Sequence, residues 1–263
     1  MKIQFAKYQG TGNDFVILDN RDNKYDGLTK KQIEFLCDRR FGIGADGLML
    51  LNNHSNYDFE MKYYNSDGGE SSMCGNGGRC LTKFASDLGI VLSDYKFIAI
   101  DGEHEASLNT DGTVALKMND VDDIKYDHGN FILNTGSPHF VTMANDVMHL
   151  DVFKKGREIR YSDPFKNEGI NVNFVQQTEE PDKIIVRTYE RGVEDETLSC
   201  GTGVTAAAIA AAYKDELTGH RLYEIDSKGG KLTVSFVHEL PHQFTEIWLS
   251  GPAAFVFKGE VHV

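Results

Sequence analysis

Short apolar runs punctuated by glycine predict strands along most of the chain, and Gly78–Leu88 and Val204–Lys214 predict a central helix in each half. Lys2–Ala6 and Phe15–Leu18 read as strands around a glycine-rich turn, Gln9–Asn13. Lys30–Cys37 reads as a helix with Thr29 as its N-cap, followed by a loop from Phe41 to Gly47. Leu48–Leu51 and Tyr57–Tyr64 are strands, Gly78–Leu88 is a helix stopped by Gly89, and strands including Phe97–Ile100 and Val114–Leu116 run to about Met118. The same order then recurs. Phe131–Leu133, a turn at Asn134–Pro138, and Phe140–Met143 come first, then a loop near Gly169 and strands Val172–Val175 and Ile184–Tyr189. A helix at Val204–Lys214 and strands at Lys231–Val237, Thr245–Leu249 and Ala253–Val263 complete the chain. The stretch GVTAAAIAAAYKDE is apolar all round in its first three turns, so it must be buried all round. Each half is therefore expected to be a sheet curled around one helix.

The recurrence is visible residue by residue. Cys74 and Cys200 lie 126 positions apart, and the same offset aligns Tyr63 with Tyr189, Glu70 with Glu196, Gly75 with Gly201 and Gly77 with Gly203. Upstream, TGNDFV from Thr11 sits against TGSPHFV from Thr135, and GIGADG from Gly42 against GINVNF from Gly169. Self-similarity of this kind implies two related halves. The expected fold class is α+β, with two pseudo-symmetric halves of mostly antiparallel sheet. Residues 1–120 form one half, joined by the last strand, 253–263, and residues 121–252 form the other.

Composition narrows the function. A net charge of −13 argues against nucleic acid or anionic membrane as a partner, and an anionic ligand would need locally placed positive groups. MKIQFAKYQGTGNDF lacks the apolar core of a secretory leader, and the run Ala206–Ala212 is too short to span a bilayer. The expectation is a cytoplasmic protein acting on a small molecule, its four cysteines kept as thiols. A homodimer is compatible with the sequence, which does not set the oligomeric state.

Two of the cysteines stand in the same setting, Cys74 in SSMCGNGGRC and Cys200 in LSCGTGVTAA, each just ahead of a central helix. Helix N-termini concentrate unpaired amide hydrogens and positive dipole; they favour anions and lower thiol pKa values. A substrate carboxylate or a thiolate would suit either place. If the two sites faced each other across a cleft, a carbon between them could lose a proton to one sulfur and gain one from the other, which is acid–base catalysis with inversion. A thiol pKa near 8.5 lets one thiolate and one thiol coexist near neutrality. The plainer reading of a cysteine at a helix start is buried packing, and that reading suits Cys37 and Cys80, which have no matched counterpart. No CxxC or HExxH occurs, and Cys74 and Cys80 do not have zinc spacing, so no metal is expected.

These stretches resemble the diaminopimelate epimerase family. The likeness runs through GTGNDFVILD from Gly10, CDRRFGIGADGLMLL from Cys37, YYNSDGGESSMCGNGGRC from Tyr63, TGSPHF from Thr135, GINVNFVQ from Gly169 and TYERGVEDETLSCGTGVTA from Thr188. The resemblance implies two α/β halves and cofactor-free interconversion of LL- and meso-diaminopimelate, a step of lysine synthesis. Cys74 and Cys200 match the acid–base pair. Gly75, Asn76, Gly201 and Thr202 match the residues that hold the reacting carboxylate, and Asn13, Asn65, Asn171, Glu190 and Arg191 match those that grip the far end of the substrate. His139 matches a histidine near the thiols. An arginine suits a distal carboxylate through paired charge-assisted bonds, and Glu190 suits the ammonium.

The chain departs from that pattern in three places. Ser137 stands where most members carry Asn, Glu194–Asp195 where a second Gly is common, and Gly47 where some carry Gln. Competing functions are a proline or hydroxyproline racemase, a phenazine-type isomerase of related fold, and a noncatalytic amino-acid-binding or redox-sensing protein. Glu190 and Arg191 with Asn65 and Asn171 favour a substrate with a charged distal group.

Overall fold

Thr11 and Gly12 both adopt positive φ, 50° and 88°, the turn geometry that joins two right-twisted strands through a two-residue loop. Strands β1 (Lys2–Gly10) and β2 (Asn13–Asp19) therefore run right up to the turn, which is shorter than the five-residue turn expected from Gln9 to Asn13. The computed structural model describes residues 1–263.

From β2 the chain crosses through α1 (Lys30–Cys37) to a parallel strand, β3 (Gly47–Asn52). Thr29 caps α1 in a reciprocal box with Gln32. Antiparallel β4 (Phe59–Asn65) and a short return, β5 (Glu70–Ser71), lead into α2 (Gly75–Asp87). Then β6 (Asp94–Ala99) lies parallel to β4 and continues through the antiparallel strands β7 (Gly102–Leu108) and β8 (Val114–Lys117).

The next stretch repeats the pairing order. β9 (Ile124–Asp127) and β10 (Asn130–Asn134) are antiparallel, as are β10 and β11 (Pro138–Met143). Helix α3 (Val152–Arg160) crosses to β12 (Asn171–Gln177), parallel to β11. Antiparallel β13 (Lys183–Glu190) and the short β14 (Asp195–Thr197) precede α4 (Gly201–Lys214). β15 (Gly219–Ser227) runs parallel to β13, followed by antiparallel β16 (Gly230–Glu239) and β17 (Gln243–Gly251). Finally β18 (Ala254–His262) pairs with β1, as β9 pairs with β10. The chain divides into two compact units, Met1–Leu116 with Gly251–Val263, and Lys117–Ser250.

Each unit is the expected mostly antiparallel sheet packed around one helix. α2 lies against β1–β4, β7 and β18, and α4 against β10–β13, β15 and β16. Every residue of α4 from Gly203 to Ala212 is buried, as the all-round apolar pattern requires. Both central helices begin three residues earlier than expected, at Gly75 rather than Gly78 and at Gly201 rather than Val204. Glycine is a poor helix former, so Gly-Asn-Gly and Gly-Thr-Gly read as loop; here they form the first turn. α3 was not expected. Its charged surface and central Gly156 hide it, and that glycine is required because a Cβ there would lie 2.3 Å from Cβ of Tyr189.

Candidate active site

Cys74 and Cys200 occupy the N-cap positions of α2 and α4 in matching extended conformations, φ −98° and ψ 132° against φ −115° and ψ 112°. Cysteine is not a favoured N-cap residue; Ser, Thr, Asp and Asn are. A local rule broken twice, at equivalent places, points to chemistry. The helical ladders begin with Gly78 N–H to the Cys74 carbonyl, 2.7 Å, and Val204 N–H to the Cys200 carbonyl, 2.9 Å. The amides ahead of them are not used by the helices' own bonding, so each mouth can receive an anion.

In the first unit Asn13 connects Cys74 to a charged clamp. Asn13 Nδ2 donates to Asp46, which turns its Oδ1 toward Cys74 Sγ at 3.7 Å and Asn76 Nδ2 at 3.4 Å. Asp46 is held by Arg39 at 2.6 Å, and Arg39 also grips Asp14 through two bonds of 3.0 and 2.7 Å. Partial burial works against ionisation of Asp14, but Arg39 and Lys7 outweigh it and hold that carboxyl at about 2. On the other side Asn76 Oδ1 accepts from Arg79 Nη2 at 2.9 Å. Arg79 is fully buried, and its other acceptors are Thr11 Oγ1 at 3.3 Å and the Gly75 carbonyl at 3.3 Å. The amides thus form a polarised chain from guanidinium to carboxylate, with the Cys74 thiol donating into its middle.

In the second unit Cys200 Sγ lies 3.5 Å from Thr202 Oγ1, which lies 2.9 Å from His139 Nε2. His139 Nδ1 lies 3.0 Å from Asn173 Nδ2, and Asn173 also donates to the Phe140 carbonyl at 3.2 Å while accepting from Thr188 Oγ1 at 2.9 Å. Thr135 Oγ1 donates to the Thr202 carbonyl at 2.8 Å, tying the β10–β11 turn to the helix mouth. Gly203 is required for this assembly, since a Cβ there would sit 2.5 Å from Asn173 Oδ1.

Burial, reinforced by the charge of Arg191, pulls His139 down from 6.5 to about 3, so the ring is neutral at neutral pH. An unfolded chain takes up that proton near 6.5. Stability from this group is therefore complete above pH 6.5 and is lost as pH falls toward 3. Between pH 6.5 and 5, urea titrations of the wild type should lose about 1 kcal/mol per pH unit more than those of His139→Gln; parallel losses would contradict the buried neutral ring.

Asn171 gathers the remaining residues of the second unit. Its Nδ2 donates to Ser137 Oγ at 2.9 Å and to the Pro138 carbonyl at 3.2 Å, and its Oδ1 accepts from the Arg191 amide at 2.9 Å. Ser137 is thus a partner of Asn171. Arg191 is exposed and donates Nη1 to the Glu168 carbonyl at 3.0 Å. Glu190 ends β13 beside it. Glu194 adopts φ 57° in the turn after β13, and its carboxylate accepts from the Gly192 amide at 3.1 Å and Tyr189 Oη at 3.2 Å. In the first unit Asn65 lies exposed at the end of β4, paired with Gly47 of β3, its backbone N–H bonded to the Gly69 carbonyl at 2.9 Å. At Gly47 the space for a Cβ is filled by Tyr63, 2.5 Å to its ring, so a longer residue there would displace that tyrosine. Cys37 and Cys80 are buried, and burial pushes both thiols up to about 12.

Asn173, Asp46 and Arg79 join the site without a motif of their own in the sequence. Asn173 is the most legible of the three: Asn171 and Asn173 alternate within INVNFV, so two polar residues share one face of an otherwise apolar strand.

The sequence pattern of the family described as "Diaminopimelate epimerase" matches residues 5–125 and 131–256. A diaminopimelate epimerase of Flavobacterium psychrophilum is 52% identical over 257 residues, covering 97% of this chain and 99% of its own. Among solved structures, a phenazine biosynthesis protein of the PhzF family from Bacillus anthracis superposes with a TM-score of 0.76 at 15% identity, covering 100% of both chains. A hydroxyproline epimerase from Agrobacterium vitis gives 0.66 at 15% identity, covering 99% of this chain and 92% of its own. The two structures share the fold; the sequence match carries more. The chain is an isomerase and belongs to the diaminopimelate epimerase family.

Proposed function

We propose that the protein converts LL-diaminopimelate to the meso form without a cofactor, as a step of lysine synthesis, through Cys74 and Cys200. The observation that carries this reading is the duplicated helix mouth with a cysteine at the N-cap of each. In the forward direction the Cys200 thiolate takes the α-proton, the electron pair is delocalised toward the α-carboxylate, and the Cys74 thiol delivers a proton to the opposite face. The roles exchange in reverse. Resting states follow from the neighbours: Cys74 faces the acceptor oxygen of Asn13, which suits a thiol, and Cys200 faces the Thr202 hydroxyl, which can donate to a thiolate. Amides at the mouths, including those of Gly75, Asn76, Gly201 and Thr202, stabilise the charge that develops on the carboxylate.

Arg191 pairs with the distal carboxylate, Glu190 takes the distal ammonium, and Asn13, Asn65 and Asn171 add fixed polar contacts, with Ser137 acting through Asn171. A site built on such groups rejects substrates that lack a partner for them. Both thiols must stay reduced, which fits a cytoplasmic setting; no helix is long and apolar enough to cross a membrane. A side-by-side assay tests the substrate. Epimerisation of LL-diaminopimelate with no racemisation of L-proline or trans-4-hydroxy-L-proline is expected. The reverse preference would overturn the assignment.

A further inference from the structure

We propose that Asn173 is a positioning residue that fixes the tautomer of His139 and thereby points the Thr202 hydroxyl proton at Cys200. The inference rests on the reading of Cys200 as an acid–base group. Asn173 is fully buried on β12, and its amide has no choice of orientation. The Phe140 carbonyl, 3.2 Å away, can only accept, so it holds the Nδ2 side. Thr188 Oγ1 approaches the other end at 2.9 Å. Nδ2 therefore also donates to His139 Nδ1 at 3.0 Å. A neutral imidazole that accepts at Nδ1 carries its hydrogen on Nε2. That N–H points to Thr202 Oγ1, 2.9 Å away. Thr202 Oγ1 then accepts from the ring, and its own proton is directed to the neighbour on the other side, Cys200 Sγ at 3.5 Å.

The order is thus Asn173 to His139 to Thr202 to Cys200, every donor pointing toward the sulfur. The ring stays neutral throughout and moves no proton of its own. Arg191, the charge that acts on His139, would oppose an imidazolium. In the first unit Cys74 meets the oxygen of Asn13 at 3.7 Å, an acceptor, where Cys200 meets a hydroxyl. The two thiols are therefore made unlike by their neighbours, although their backbones are alike.

Two readouts that do not depend on turnover test this. Nitrogen NMR of histidine-labelled protein, with His139 assigned by its loss in His139→Gln, should show Nε2 protonated and Nδ1 bare. Asn173→Asp offers a carboxylate to Nδ1 and should move the hydrogen to Nδ1. Separately, iodoacetamide labelling at neutral pH, mapped by mass spectrometry, gives the rate at Cys200 relative to Cys74 in the same molecules. That ratio should fall about tenfold in Thr202→Val and in Asn173→Asp, and should hold within about threefold of wild type in Thr202→Ser, which keeps the hydroxyl. A hydrogen on Nδ1 in the wild type, or an undiminished ratio in Thr202→Val, would overturn the inference. Activity of Cys200→Ala separates the two levels. Retained epimerisation would sink the acid–base reading itself, whereas an inactive Cys200→Ala beside a wild-type Nδ1–H would sink only the tautomer inference.

Discussion

Alanine at either Cys74 or Cys200 is expected to lower turnover of LL-diaminopimelate by about 10³-fold or more, in line with the loss of a general acid or base. The effect should fall on kcat, with KM changed only a few-fold, because the groups proposed to hold the two carboxylates and the ammonium remain. The two losses should be similar, since inversion needs a proton removed on one face and supplied on the other. Alanine at Cys37 or Cys80 gives the contrast. Both are buried with their thiols pushed up to about 12, so they hold no thiolate to contribute near neutrality and should affect stability more than chemistry. Steady-state kinetics on the four variants decides the matter: either helix-mouth variant working within tenfold of wild type would exclude the two-thiol reading.

Gly203→Ala is expected to damage both stability and turnover at the mouth of α4. Its Cβ would fall 2.5 Å from Asn173 Oδ1, 3.2 Å from Cys200 Cβ and 3.3 Å from Cys200 Sγ. The first distance is below any real carbon contact, and the atom it meets belongs to a buried amide bonded on both sides. Overpacking of this kind costs about 1–3 kcal/mol, and a shift of the sulfur or of His139 by a fraction of an ångström should cost about 10²-fold in kcat. Alanine at the exposed Gly112, with no atom within 4 Å of its Cβ, has no such collision; its cost is confined to the strain of φ 85°. Thermal melts and kcat measured together test this. A Gly203→Ala protein with wild-type kcat would show that the Asn173–His139–Cys200 packing is looser than the structure indicates.

Much of this was legible in the chain itself because the duplication carries the signal twice. Tyr63 with Tyr189, and Cys74 with Cys200, fix one offset, and the structure repeats the strand pairing along it. The buried α4 followed from its alanines, and α1 from Thr29 and an apolar stripe. What the pattern concealed has physical causes. The first turns of α2 and α4 are written in glycine, which favours coil until packing overrides it. α3 owes its existence to contacts of Val152 and Gly156 that a charged nonamer does not advertise. The site was legible as residue types at matched spacings, and its wiring was not. Hydrogen-bond direction depends on which end of Asn13, Asn76 or Asn173 faces a group that can only accept or only donate. Asp46, the Phe140 carbonyl and Arg79 are those groups, and they come from distant segments.

The most direct measurement of the central claim is the fate of solvent deuterium during the first turnovers of LL-diaminopimelate in deuterium oxide, read by mass spectrometry on separated isomers. Two thiols working from opposite faces should put one deuterium on the inverted α-carbon of the meso product and leave recovered LL-diaminopimelate unlabelled. Deuterium entering the recovered substrate as fast as the product, or inversion without deuterium, would contradict it.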